Sequence, residues 1–214
     1  LGLPNPFIGP FGQDMYGKST DFGKQFTRDF FFTVNYFWLD RLHVDGFRYD
    51  CVPEYWDGPE GQGYANLVYN TYQLVKQLGG QGHWRRFRDG NANLIQCGEQ
   101  LECPETIIWS TYSNSAWQNR TLGEASAVAH GDRGALERFG LSLGLSGYPE
   151  MVATDGDTVT KAPLQYLENH DHERFICHFG VTGETSLLWE GDRARWYKLQ
   201  PYLIGLFTGK GAPM

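Results

Sequence analysis

Cysteine, long apolar runs and positive charge are all scarce in this chain, and each scarcity excludes a class of protein. Four cysteines in 214 residues, at spacings of 46, 6 and 74, are too few and too dispersed for a disulfide scaffold and match no zinc-ligand pattern. Cys51 and Cys97 sit in apolar, strand-like runs, so reduced core thiols are expected. No apolar stretch approaches the roughly 20 residues of a membrane span, and no membrane partner is expected. Lys and Arg number 18 against 25 Asp and Glu, a net charge of -7. Nucleic acid is therefore not expected as a partner, because phosphate binding needs clustered basic side chains. The densest basic run, Trp84 to Arg88, reads as a solvated helix face. There is no G-x-G-x-x-G or G-x-x-x-x-G-K-[ST] loop to cradle a phosphate, no internal repeat and no low-complexity tract. Residues 1–10 lack the charged-then-apolar pattern of a signal peptide. The sequon Asn119-Arg120-Thr121 is common by chance, so nothing fixes a compartment.

What is present is a core-forming composition, 41% hydrophobic and 15% aromatic, which suits one globular domain over residues 1–214. Phe22, Phe26, Phe30, Val34, Trp38 and Leu42 recur near helical period and predict a long amphipathic helix leading into a strand at His43 to Asp50. After the Gly- and Pro-rich loop Pro53 to Gly63, the positions Tyr64, Leu67, Val68, Tyr72 and Val75 predict a second helix, ended by Gly79-Gly80. Asn93 to Glu99 reads as a buried strand. Pro163 to Asn169 reads as a third, after the Gly-rich stretch Gly140 to Gly156. A helix from about Asp192 to Phe207 carries Trp196, Leu199, Tyr202, Leu203 and Leu206 on its apolar face. Such alternation implies a mostly parallel sheet covered by helices, either a (β/α) barrel or a doubly wound sheet.

The segment His43 to Asp50 (H-V-D-G-F-R-Y-D) is the most informative. On a strand, Arg48 and Asp50 share a face, with Val44 and Gly46 beneath them. The guanidinium favours the ionised aspartate, which suits a nucleophile toward carbon. From these two residues alone an ordinary buried ion pair is the simpler reading, because such pairs occur without catalysis. Further carboxylates decide the matter. Each candidate strand ends in ionisable residues: Arg48 and Asp50 on the first, Glu99 on the second, Asn169-His170-Asp171 on the third. Sites assembled from several strand ends at one face are the pattern of a barrel. A nucleotide-binding sheet would show a Gly-rich loop at its first strand-to-helix turn instead.

Three carboxylates with an arginine and a histidine suit cleavage of a glycosidic bond, which needs one ionised nucleophile and one protonated acid. Asp50, beside the cation, is the expected nucleophile. Glu99 follows Cys97 and Gly98 in an apolar strand, where partial desolvation favours its neutral form, and is the expected acid. Aromatic residues follow the strand ends: Tyr49, Tyr55 and Trp56 after the first, Trp109, Tyr112 and Trp117 after the second. Some of these rings suit sugar faces, and Trp56 is the one singled out as substrate-binding.

The segments D-G-F-R-Y-D (Asp45 to Asp50), G-E-Q ending at Gln100, and E-N-H-D (Glu168 to Asp171), in that order, resemble the second, third and fourth signature regions of the α-amylase family, glycoside hydrolase family 13. Within it, L-H-V-D-G-F-R and W-Q-N-R-T-L look more like branching, debranching and trehalose-releasing enzymes than secreted animal-type amylases. The resemblance implies an α/β fold, an incomplete (β/α)8 TIM barrel comprising about strands four to seven with flanking helices. It also implies a retaining mechanism on the α-glucosidic bonds of an α-glucan or oligosaccharide substrate. Asp50 would be the nucleophile, Glu99 the acid/base and Asp171 the stabiliser of the oxocarbenium-like transition state. Arg48 would orient Asp50, His170 would hydrogen-bond the sugar in the cleaved subsite, and Asn169 would complete the substrate-binding set. A glucosyl transferase of the same family keeps the same three carboxylates. A silent amylase-like binding or assembly module would keep the fold and lose one of them.

Two departures accompany the resemblance. The family's first signature, an aspartate with a downstream Asn-His, has no match, so the chain is expected to lack strands one to three and most of the eighth. Open barrel edges then favour self-association, and the fragment alone is expected to be inactive. Relatives also carry Lys-His three and four residues after the nucleophile, where Pro53 and Glu54 stand here, and neither metal nor cofactor is expected. The run His170 to Glu173 lacks the i, i+4 histidine spacing of a helical metal site. His43, His83, His130 and His178 default to structural roles.

Overall fold

A computed structural model describes residues 5–87, 94–148, 151–154, 157–180 and 193–214. The fold divides into two compact units, one of Leu1–Trp117 with Pro149–Lys161 and one of Gln118–Tyr148 with Ala162–Met214.

The first unit runs helix α1 (Gln25–Arg41), strand β1 (Gly46–Tyr49), helix α2 (Tyr64–Leu78), strand β2 (Ile95–Gly98), helix α3 (Pro104–Ser110) and strand β3 (Ser115–Gln118). The three strands pair in parallel with β2 in the middle, Gly46 opposite Ile95, Tyr49 opposite Gly98 and Cys97 opposite Ser115. Parallel neighbours need a crossover, and the helices supply it. Gly46 is required by this register: a Cβ there would lie 2.1 Å from the carbonyl oxygen of Ile95. Leu39, Tyr72, Val75, Trp84, Phe87 and Leu94 form the core beneath the sheet. Helix α2 matches its sequence pattern, with Tyr64, Leu67, Val68, Tyr72 and Val75 buried and the Gly79 N–H closing on the carbonyl of Val75 at 2.8 Å.

Helix α1 departs from its pattern. Phe26, Phe30, Trp38 and Leu42 are exposed, while Thr27, Asn35 and Leu39 face inward; Phe22 is buried but precedes the helix. The reason is polar. The Asn35 side chain donates to the Tyr49 hydroxyl and to Thr71 Oγ1, each at 3.0 Å, and the Tyr49 hydroxyl donates to Gln96 Oε1 at 2.9 Å. A buried polar group without a partner costs more than an exposed ring, so the turn of the helix that satisfies Tyr49 and Gln96 prevails. Aromatic residues crowd the whole circumference of this helix, which leaves the hydrophobic period ambiguous.

Other elements are shorter than expected. The first strand is not buried throughout: Tyr49 is enclosed, but Arg48 and Asp50 are exposed, because their face of this edge strand is open. The second strand covers Ile95–Gly98, its expected start at Asn93 lying outside the described residues. The Trp84 to Arg88 run is not a solvated helix face. Residues Gly82–Phe87 form a 3-10 turn with Trp84 and Phe87 buried. Arg86 reaches the carbonyls of Leu39 at 2.9 Å and Val44 at 3.0 Å, while Arg88 lies outside the described residues. The expected Gly-rich stretch Gly140 to Gly156 includes β4 (Met151–Thr154), which pairs antiparallel with β5 (Asp157–Thr160) just beyond it.

The second unit comprises helices α4 (Asn119–Ala129) and α5 (Ala135–Leu143), strand β6 (Leu164–Gln165), a 3-10 turn at Phe175–Phe179, helix α6 (Arg193–Thr208) and strand β7 (Ala212–Pro213). Strands β6 and β7 pair in parallel. Gln118 caps α4 by accepting from the Thr121 N–H at 2.9 Å, and Gln165 Nε2 donates to the Ser142 carbonyl at 2.7 Å. Strand β6 holds two residues of the expected Pro163 to Asn169. Glu168 bends out of line to accept from Arg174 Nε at 2.8 Å and from the Phe175 N–H at 2.6 Å, which ends the strand and starts the turn. Helix α6 agrees with its pattern at buried Leu206 and at Tyr202, which packs on Phe139 and Phe175; Asp192 lies outside the described residues.

Candidate active site

Register places the first cluster. Tyr49 faces Gly98 across β1 and β2, and one further residue on each chain sets Asp50 beside Glu99. Strand parity puts both carboxylates on the face that carries Arg48. Arg48 uses both ends of its guanidinium: Nη1 contacts Asp50 Oδ1 and Nη2 lies 2.8 Å from Glu99 Oε2. The same Glu99 oxygen accepts the Cys51 N–H at 2.9 Å. Beneath the guanidinium lies the Trp117 ring, its centroid 4.4 Å from the Arg48 Cζ. Asp50 is open to solvent, with 77% of its side chain exposed, and Glu99 is enclosed, with 15% exposed.

Two sequence-based expectations change here. Arg48 does not serve Asp50 alone; it bridges both carboxylates, because register brings Glu99 within reach of the second Nη. Trp117 is not a free sugar platform, since it is only 4% exposed and sits under Arg48.

The chain leaves β1 through Cys51, whose φ of 42° is left-handed, into the 3-10 turn Val52–Tyr55. Its thiol is pushed up by burial and then by the negative charges of Glu54, Glu99 and Asp50. Tyr55 donates its hydroxyl to the Asp50 carbonyl at 3.0 Å. Trp56 is half-buried, edge-on to Tyr64 with centroids 6.4 Å apart. Glu54 accepts from the N–H groups of Met15 and Tyr16 at 2.8 and 3.0 Å and from Ser19 Oγ at 3.0 Å. It thereby pins residues 13–19 beside the end of β1. Nothing in the sequence pattern signals that long-range clamp.

In the second unit, the loop after β6 carries Asn169, His170 and Asp171. Asn169 Oδ1 accepts from the Asp171 N–H at 3.0 Å and contacts His172 Nδ1 at 2.6 Å, so this side chain folds the turn. His170 Nε2 lies 3.4 Å from Asp171 Oδ1, and both side chains are more than half exposed. Among the described residues no group of three or more His, Cys, Asp or Glu could hold a metal ion. None of their helices is long and apolar enough to cross a membrane. All four cysteines are free thiols, but only Cys97 is buried, the others being half-buried. A cavity of about 320 Å³ lined by Phe22, Arg28, Asp29 and Asn66 among others contains neither Asp50 nor Glu99.

Parallel strands and crossover helices define an α/β fold, an incomplete (β/α)8 barrel. The relatives agree with that class. No protein-family model matches the chain. Over 124 residues, 56% of the chain, it is 30% identical to the 1,4-alpha-glucan branching enzyme GlgB of Salinibacter ruber, of which it spans 17%. Two solved structures match its fold. A noncanonic maltogenic alpha-amylase, AmyB, from Thermotoga neapolitana matches 95% of the chain with a TM-score of 0.53 and 17% identity, over 39% of its own length. A protein described as an alpha amylase from Salmonella typhimurium matches 97% of the chain with a TM-score of 0.56 and 13% identity, over 36% of its length. The chain is thus similar to part of the catalytic barrel of α-amylase family enzymes.

Proposed function

We infer that this chain carries the catalytic carboxylates of a retaining enzyme acting on α-glucosidic bonds of α-glucans. The supporting observation is the single guanidinium of Arg48 that joins Asp50 and Glu99. Two carboxylates on one cation suit the close pair, about 5 to 5.5 Å apart, that a retaining mechanism uses. Asp50, the open one, attacks the anomeric carbon and forms a glycosyl ester while Glu99 gives its proton to the departing glycosidic oxygen. Glu99 then takes a proton from the incoming hydroxyl, whose oxygen attacks the same carbon and releases Asp50. Asp171 stabilises the positive charge on the sugar, and His170, Asn169 and Trp56 bind substrate. Two-carboxylate chemistry of this kind needs no cofactor.

The similarity to a branching enzyme favours a second reading of the last step, in which the incoming hydroxyl belongs to another sugar and the outcome is glucosyl transfer. Product analysis on maltoheptaose and pullulan, with the complete barrel that contains this chain, separates hydrolysis from transfer. Asp50→Asn should lower turnover by at least about a thousandfold. An Asp50→Asn protein with substantial activity sinks the assignment.

A further inference from the structure

Strand β1 ends one residue out of step with β2. The ladder between them runs from the Ile95 N–H on the Asp45 carbonyl to the Glu99 N–H on the Tyr49 carbonyl, each at 3.0 Å. In a parallel pair the next bond belongs to the Cys51 N–H on the Glu99 carbonyl. Val52 takes that carbonyl instead, at 3.0 Å, so Cys51 and Val52 together oppose Glu99 as at a β-bulge. The displaced Cys51 N–H donates to the Glu99 side chain, at Oε2, over 2.9 Å. This exchange needs the left-handed φ of 42° at Cys51, a conformation that glycine, asparagine and aspartate adopt far more readily than cysteine. Such backbone strain persists only where its surroundings enforce it, and it gathers at functional sites.

The peptide that carries this N–H is fixed at its other end too. The Asp50 carbonyl accepts the Tyr55 hydroxyl at 3.0 Å. The Tyr55 ring stacks on Phe22 with centroids 5.2 Å apart and meets Tyr64 edge-on at 5.9 Å, so its hydroxyl is held in place. Burial above all pushes that hydroxyl well above its ordinary range, and it stays a donor at ordinary pH.

We propose that the Asp50–Cys51 peptide, held between the left-handed Cys51 and the Tyr55 hydroxyl, positions Glu99 for proton transfer, which makes Cys51 and Tyr55 positioning residues of the reaction. Glu99 Oε2 accepts from two donors, this N–H and Arg48 Nη2 at 2.8 Å. An oxygen so occupied does not also carry a proton, so the proton that Glu99 gives up sits on Oε1. As the Oε1–H bond breaks, the glycosidic oxygen takes the proton and keeps the electron pair of its bond to the anomeric carbon. The negative charge left on Glu99 is met by the same N–H and guanidinium. Cys51 and Tyr55 act on this step through Glu99.

The positioning role rests on the reading of Glu99 as acid/base above, and one comparison separates the two. Fluoride leaves α-maltotriosyl fluoride with little help from an acid, whereas the leaving oxygen of maltoheptaose needs a proton. In the complete barrel that contains this chain, Glu99→Gln should lower kcat/KM on maltoheptaose about a hundredfold or more and on the fluoride far less. Tyr55→Phe keeps the ring contacts and removes the hydroxyl. It should lower kcat/KM on maltoheptaose about tenfold and on the fluoride by no more than about twofold. Cys51→Val, whose β-branched side chain resists a positive φ, should show the same selective loss. A merely structural defect lowers both substrates alike. If the maltoheptaose-to-fluoride ratio of Tyr55→Phe or of Cys51→Val equals the parent's, the positioning role is overturned and Glu99 remains the acid/base. If Glu99→Gln itself leaves that ratio unchanged, the acid/base reading falls and the positioning role with it.

Discussion

The Arg48 guanidinium lies over the Trp117 ring, its Cζ 4.4 Å from the ring centroid. Both residues belong to the first unit, and the ring is nearly inaccessible to solvent. A cation over an aromatic face is stabilised by about 0.5 to 2 kcal/mol, more where water is excluded. The tryptophan therefore supports the cation that in turn contacts Asp50 and Glu99.

Trp117→Phe keeps a ring under the guanidinium, and Trp117→Ala does not. Removing so large a buried side chain costs about 3 to 5 kcal/mol of stability, which urea unfolding would read. In the complete barrel, Trp117→Ala should lower kcat more than it raises KM, because the carboxylates lose their common support while the sugar contacts remain. Trp117→Phe should restore most of kcat. Equal loss of kcat in both variants would count against a positioning role.

Lys161 offers a pH dependence. It is 3% exposed, and its Nζ donates to the carbonyls of Thr111, at 2.8 Å, and Ser113. Burial pushes it down from 10.5 to about 8. Between those values the unfolded chain binds the extra proton, so this group makes stability rise with pH from about 8 to 10.5 and lowers it again as pH falls through about 8. The full difference is about 3 kcal/mol, because each tenfold change in proton affinity corresponds to roughly 1.4 kcal/mol. Urea unfolding of the native chain and of Lys161→Met, compared at pH 7.5 and 10, isolates the effect from buried tyrosines, which both share. The native chain should gain stability relative to Lys161→Met as pH rises; parallel curves would remove Lys161 from the account.

Much of the candidate site's composition was legible because its signals are local. The i, i+2 parity of Arg48 and Asp50, the G-E ending at Glu99 and the turn residues around Asp171 are all read within a few positions. The sharing of Arg48 between Asp50 and Glu99 is not local; it depends on Tyr49 pairing with Gly98 rather than a neighbour. The inward face of α1 was illegible for another reason. Phe26, Phe30 and Trp38 advertise an apolar stripe, yet Asn35 turns inward because its amide donates to Tyr49 and Thr71. Strand β6 is short because a side chain, Glu168, competes for the backbone of the turn.

The outward face of α1 has its own consequence. Phe26, Phe30 and Phe37 lie on it at 55%, 46% and 51% exposure, and contiguous exposed rings favour association. Together with the edge position of β1 this predicts that the chain alone self-associates. Sedimentation velocity of the purified 214-residue chain should show oligomers at micromolar concentration. Phe30→Ser with Phe37→Ser should shift the distribution toward monomer with little change in helix content. A folded monomer that cleaves maltooligosaccharides would overturn the expectation.

Glu54 is the last residue whose removal discriminates between readings of the site. Its carboxylate accepts three hydrogen bonds from Met15, Tyr16 and Ser19. In Glu54→Gln one oxygen remains, carrying no charge, so the two N–H groups on Oε1 keep a partner while the Ser19 hydroxyl faces an amide. In Glu54→Ala the N–H groups of Met15 and Tyr16 are released, at about 0.5 to 1.5 kcal/mol each in this half-open setting, while the Ser19 hydroxyl keeps the Gln13 carbonyl and Asp14 Oδ1 at 3.0 Å. Hydrogen exchange at Met15 and Tyr16 should therefore rise about tenfold or more in Glu54→Ala and much less in Glu54→Gln. The thiol of Cys51, 3.8 Å from the Met15 sulfur, should become more accessible to alkylation in the alanine variant, because the loop that covers it has been let go. If exchange at Met15 and Tyr16 is as slow in Glu54→Ala as in the native chain, residues 13–19 are held by their own packing and not by Glu54.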